Sequence, residues 1–300
     1  MKSSKLATLF SSAALALGLM ASNGQQANAG QLYNGWNYGI DSLTDGSGGD
    51  VYNIRGLAIK ETSDSIFVAL TGGLPLEGTA NSGAADGNIG WGDLFFNFTG
   101  KDFKSASDSN SLFAVRFAGT NDSKAATTGV YKNVQATSVT TDNHGYGSLK
   151  QYYDYGWGQG NTQGTDLPTA ASVYNYYYGN TVGSNPTTSN TPILNVINTG
   201  TIVGNVSSLS ASALAAAGLD FGHFSALGSQ TIGFQIDRSL LPDGKFFSNI
   251  FIECGNDGLA LAGTLTAVPE SGNTMGLVAL GVVFAGSQLL KRRPGKAIAG

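Results

Sequence analysis

Ser65-Ile66-Phe67-Val68-Ala69-Leu70-Thr71, closed by Gly72-Gly73, is the stretch on which the fold turns. Five apolar residues in succession are too few for a stable helix and suit a strand covered on both faces. Phe67 and the β-branched Ile66 and Val68 also favour the pleated surface. Outward from this run, short apolar segments recur at 51–60, 93–98, 112–117, 129–134, 137–141, 193–197, 231–236, 249–254 and 259–266. Asp45-Gly46, Asp86-Gly87, Asp243-Gly244 and Asp257-Gly258 supply turn chemistry between them. One helix is expected over 211–217, capped by Ser210 and stopped by Gly218. The pattern predicts an all-β fold: an antiparallel β-sandwich, jelly-roll-like, with that one short helix, and a β-barrel as its rival. Residues 145–190, rich in Gly, Tyr, Asn and Thr, read as an insertion into this domain.

Both ends of the chain read as sorting signals. Lys2 and Lys5 precede an apolar stretch, and Ala27 and Ala29 supply the small residues before a signal-peptidase cut that would leave Gly30 first. Residues 1–29 are thus expected to be a signal peptide and 30–267 the folded domain. The tail, 268–300, carries Pro269-Glu270-Ser271, an apolar run at 275–290, and the basic cluster Lys291-Arg292-Arg293. Sixteen helical residues extend ~24 Å at ~1.5 Å each, somewhat short of a hydrocarbon core of ~30 Å. Thinning and snorkelling by Lys291 and Arg292 would let the run span as a transmembrane helix. The basic cluster would then act as a topological stop with a cytoplasmic C-terminus.

This three-part tail resembles the PEP-CTERM class of exosortase substrates, with Ser271 standing where that motif has its second proline. The body is similar to the cyanobacterial XDD-type exosortase-dependent surface proteins. The similarity rests on 55–60 (Arg55-Gly56-Leu57-Ala58-Ile59-Lys60), 93–98, 112–117 and Cys254-Gly255-Asn256-Asp257. The resemblance implies surface display and processing by an exosortase-type sorting peptidase, after signal peptidase and the secretion machinery. It implies no reaction and no catalytic residue.

Outside the terminal signals, ten basic residues face nineteen acidic ones, so the exported part carries a net charge near −9. Such a body repels nucleic acid, which is not expected as a partner. Cys254 is the sole cysteine, so no internal disulfide forms, and its apolar neighbours 250–252 place it in a core strand. Two histidines, His144 and His223, cannot build a multi-histidine metal site and read as turn or core residues. The segment 73–79 has P-loop glycine spacing but lacks the lysine that reaches phosphates, and reads as a turn.

No catalytic motif emerges, no cofactor is expected, and the chain does not read as an enzyme. Asp45 and Asp50, near Asp41, are weak calcium candidates, with Asn256-Asp257-Gly258 a second acidic turn. Tyr152, Tyr153, Tyr155, Trp157, Tyr176 and Tyr178 are candidate ligand contacts, because flat rings with polar tips suit stacking on sugars. Structural packing is the competing reading of the same rings. The function expected is that of an exported cell-surface or extracellular-matrix protein, structural or adhesive. One alternative is a secreted carbohydrate-binding module using the Tyr-rich segment on a polysaccharide. Another is a secreted hydrolase whose carboxylates the fold assembles.

Overall fold

The computed structural model describes residues 30–42, 46–157, 175–177, 179 and 191–266, with backbone alone at Tyr153, Gly156 and Trp157. The signal peptide, the sorting motif, the run 275–290 and the basic cluster lie outside the described residues. Among the described residues, no helix is long and apolar enough to cross a membrane.

The chain opens with a four-strand meander: β1 (Gln31–Tyr33), β2 (Trp36–Ile40), β3 (Ile54–Glu61) and β4 (Ser65–Gly72). A small ribbon follows, β5 (Thr79–Ala80) with β6 (Asn88–Ile89). A second meander then forms from β7 (Leu94–Asn97), β8 (Leu112–Arg116), β9 (Gly129–Thr137) and β10 (Val196–Gly204). The chain returns to the first sheet with β11 (Ser207–Leu209) and β12 (Gln230–Asp237), and ends in the second with β13 (Gly244–Phe251) and β14 (Gly258–Leu265). Two six-stranded sheets result, ordered β1-β2-β3-β4-β12-β11 and β10-β9-β8-β7-β13-β14, with every paired neighbour antiparallel.

The expected sandwich is present, but its strand order is not that of a jelly roll. A jelly roll is built from Greek keys. Here consecutive strands stay in one sheet in runs of four and then two. The first connection is tight. Asn34 (φ 50°) and Gly35 (φ 78°) form a two-residue turn with both φ positive, which folds β1 straight back on β2.

Three apolar layers hold the sheets. Ile66, Val68 and Leu70 of β4 point inward with Leu57, Ile59, Leu94, Phe96, Val115, Phe234 and Ile250. Phe117 and Phe234 stack across this interior at 5.0 Å. The alternate residues Phe67 and Ala69 face outward, where Trp36, Tyr38, Leu214 and Phe221 cover them. The outer face of the second sheet is covered likewise: Phe95 and Phe251 pack with Phe103, Tyr152, Tyr176 and Tyr177. This accounts for a strand that is apolar on both sides. A pleated strand alternates its side chains, and both sheets are buried on both faces where these segments lie.

The helix Ala211–Ala216 forms as expected: Ser210 accepts from the Ala213 amide, and Gly218 follows at φ 85°. It is not the single helix. Asp102 caps a second, Phe103–Asp108, by accepting from the Ser105 amide, and the short turn Leu149–Gln151 is a third. Segment boundaries also differ. Val51 belongs to the 3-10 turn Asp50–Tyr52, residues 138–141 lie beyond the end of β9, and Ile193 precedes β10. Cys254 is buried, in the turn after β13.

Candidate functional site

Several of the buried polar groups converge on one connection, residues 118–128 between β8 and β9. Arg116 ends β8 and is only 8% exposed. Its Nε donates to Asn121 Oδ1 at 2.8 Å and its Nη1 to the Ala125 carbonyl at 2.5 Å. Nη2 reaches the carbonyls of Asn121 (3.0 Å) and Gly119 (3.2 Å). A planar guanidinium with five N–H donors organises the loop around itself in a way lysine cannot. Asn121 Nδ2 then donates to Asp93 Oδ1 at 2.9 Å, and Asp93 Oδ2 accepts from the Ile197 amide at 2.7 Å. Burial pushes the Asp93 carboxyl above the ordinary range, against the pull of these hydrogen bonds and of Arg116.

Glu253 holds the same loop from the other side. It is 1% exposed. Its Oε2 accepts from the Gly90 amide at 2.6 Å and its Oε1 from the Asp122 amide. Burial is the main reason its carboxyl is pushed up to about 7, and the nearby charges of Asp122 and Asp86 add to the rise. Asn143 completes the frame: its Nδ2 donates to Asp122 Oδ2 at 2.8 Å and to the Val139 carbonyl at 3.0 Å. The result is an open depression of about 350 Å³ lined by Ala85, Asp86, Asp122, Lys124, Val139 and Asp142. Three carboxylates and one ammonium on a fixed wall suit ligands rich in hydrogen-bond donors, such as hydroxyl-bearing or cationic groups.

The residues singled out from the sequence fall elsewhere. Tyr152 and Tyr176 are buried, which corrects their assignment as ligand contacts. Tyr152 packs edge-on against Phe251 at 5.7 Å, and the Tyr176 hydroxyl donates to Asn249 Oδ1 at 2.8 Å. Both rings fill the outer apolar layer because the second sheet needs covering there. Tyr155 is 63% exposed and stacks on Tyr146 at 6.2 Å. Tyr178 and the side chains of Tyr153 and Trp157 lie outside the described residues.

Asp50 is exposed and opens the 3-10 turn, while Asp45 lies outside the described residues. The fold brings the two acidic turns together. The Asn256 amide sits against Gly48, and Asp257 Oδ2 accepts from the Ile54 amide at 2.6 Å. Among the described residues, no group of three or more His, Cys, Asp or Glu is placed to hold a metal ion. His144 and His223 are both exposed, His223 stacked on Tyr33 at 3.8 Å.

Compared with protein-family models, curated proteins and solved structures, the chain matches none. The depression must therefore be read from its own chemistry. Asp86 read as half of a turn dipeptide and Glu253 as part of a core strand, while Asp122 and Asp142 carried no spacing signal. The nearest hint in the sequence was Glu253 itself, an acid inside an apolar run with no basic residue nearby in the chain.

Proposed function

We propose that the chain is an exported cell-surface or extracellular-matrix protein whose sandwich acts by display and contact, and whose tail sorts it through the membrane. One observation carries this reading. The sandwich fills the interval between the two expected signals: β1 begins at Gln31, next to the cut after Ala29, and β14 ends at Leu265, just before Pro269. The partners are signal peptidase and the secretion machinery at one end, and an exosortase-type peptidase and the membrane at the other. Changing Pro269 and Glu270 to Ala should leave full-length precursor in the membrane fraction. Normal release of that variant, seen by intact mass and terminal peptide mapping, would overturn the sorting claim.

A carbohydrate-contact reading is favoured by a separate observation, the exposed Tyr155 ring stacked on Tyr146. Saturable binding on a glycan array that disappears in Tyr155→Ala would establish polysaccharide as the contact partner.

A further inference from the structure

The acidic depression has a wall that one buried carboxylate holds in place. Glu253 lies beneath it with both oxygens committed to backbone amides, Gly90 on one side and Asp122 on the other. Among the described residues, no lysine, arginine or histidine forms an ion pair with it. The charged groups that face it have its own sign: Asp122, which shares the hydrogen-bonded contact, and Asp86. Lys124 and Asp142 line the same depression, and Arg116 and Asp93 hold the far side of the loop. The adjacent Cys254 thiol, pushed up to about 12 chiefly by burial, stays neutral throughout.

We propose that Glu253 is a proton-operated clamp on residues 118–128, tight when its carboxyl is protonated and loosened when it is ionised. Protonation weakens the two amide bonds, which favour the carboxylate, but it removes the larger cost of keeping a buried charge and the repulsion from Asp122 and Asp86. An ionised carboxylate sealed from water without a counter-ion gains by opening to solvent. Its proton affinity, pushed up to about 7 from an ordinary 4.5, spreads the changeover over the interval between those two values. The depression would thus have a fixed wall in acidic surroundings and a mobile one from neutral pH upward.

Amide hydrogen exchange on the purified chain, corrected for intrinsic base catalysis, tests this. Protection of the Gly90 and Asp122 amides should fall by roughly 75-fold between pH 5 and pH 8.5, levelling off above about pH 7. Glu253→Gln should abolish that pH dependence. Asp86→Asn, which removes one facing charge, should lower the midpoint and keeps the test decisive if Glu253→Gln fails to fold. Flat protection in the unmodified chain, an unmoved midpoint in Asp86→Asn, or the same pH dependence in Glu253→Gln would overturn the clamp.

Discussion

Asp257 and Ile54, 203 positions apart in the chain, are joined by a 2.6 Å hydrogen bond from the Ile54 amide to the Asp257 carboxylate. Asp257 sits in the turn before β14 and Ile54 begins β3, so this bond ties the edge of one sheet to the other. Nearby, Asn37 Nδ2 donates to the Ala262 carbonyl at 2.8 Å along the same seam. Removing the Asp257 side chain leaves a buried amide without a partner, at a cost of about 1–3 kcal/mol. Asp257→Ala should therefore lower the urea midpoint clearly. Asp257→Asn, whose amide oxygen still accepts, should lower it less. A wild-type midpoint for the alanine variant would show that the seam does not depend on this contact.

Arg116→Lys tests the loop. A lysine keeps a positive charge near Asp93 but cannot reproduce the four contacts of the guanidinium. Breaking a buried charged network by removing one member typically costs about 3–5 kcal/mol. Retaining a charge places this variant toward the lower end. Proteolysis should begin within 118–128 in the variant and not in the parent. Identical cleavage patterns would count against the proposed role of Arg116.

Glu253 also makes global stability depend on pH. Its folded carboxyl holds a proton up to about 7 against an ordinary 4.5, so the folded chain binds more protons than the unfolded chain between those values. Stability therefore falls as pH rises from about 4.5 to 7, and this group adds no further change above that. Each tenfold change in proton affinity is worth about 1.4 kcal/mol, which puts the loss on the order of 3 kcal/mol. Asp93, raised by burial, acts in the same direction. Urea unfolding at pH 5, 6, 7 and 8 measures this. Stability that rose over the interval, apart from a compensating trend also present in Glu253→Gln, would contradict the assignment.

The tyrosines separate packing from contact. Tyr176→Phe removes the hydroxyl that bonds Asn249 in the buried outer layer, and should cost about 1–2 kcal/mol. Tyr155→Ala changes an exposed ring and should shift stability by less than about 0.5 kcal/mol. Equal losses for the two would mean that the Tyr155–Tyr146 stack is part of the fold rather than a presented surface.

Much of the sandwich was legible because its signals are local. Alternation and short apolar runs marked β3, β4, β7, β8, β12 and β14, and Ser210 with Gly218 marked a helix whose capping needs only neighbours. Asn34-Gly35, flanked by Leu32-Tyr33 and Trp36, was an equally local signal for the β1–β2 hairpin and was missed. The helix Phe103–Asp108 had its cap in Asp102, but a single turn and a half leaves almost no periodicity to read.

The sequence by itself determined that the chain is built of short strands, that one helix starts at Ser210, and that Ile66 to Leu70 needs cover on both faces. Tertiary structure alone decided which layer covers each face, that Tyr152 and Tyr176 are packing rather than surface, and that Asp86, Asp122, Asp142 and Glu253 meet. The reason is one of range. Caps, turns and alternation depend on residues a few positions apart. An acid's proton affinity and exposure depend on whatever the fold places beside it, and for Glu253 those neighbours are Gly90 and Asp122, 163 and 131 positions away.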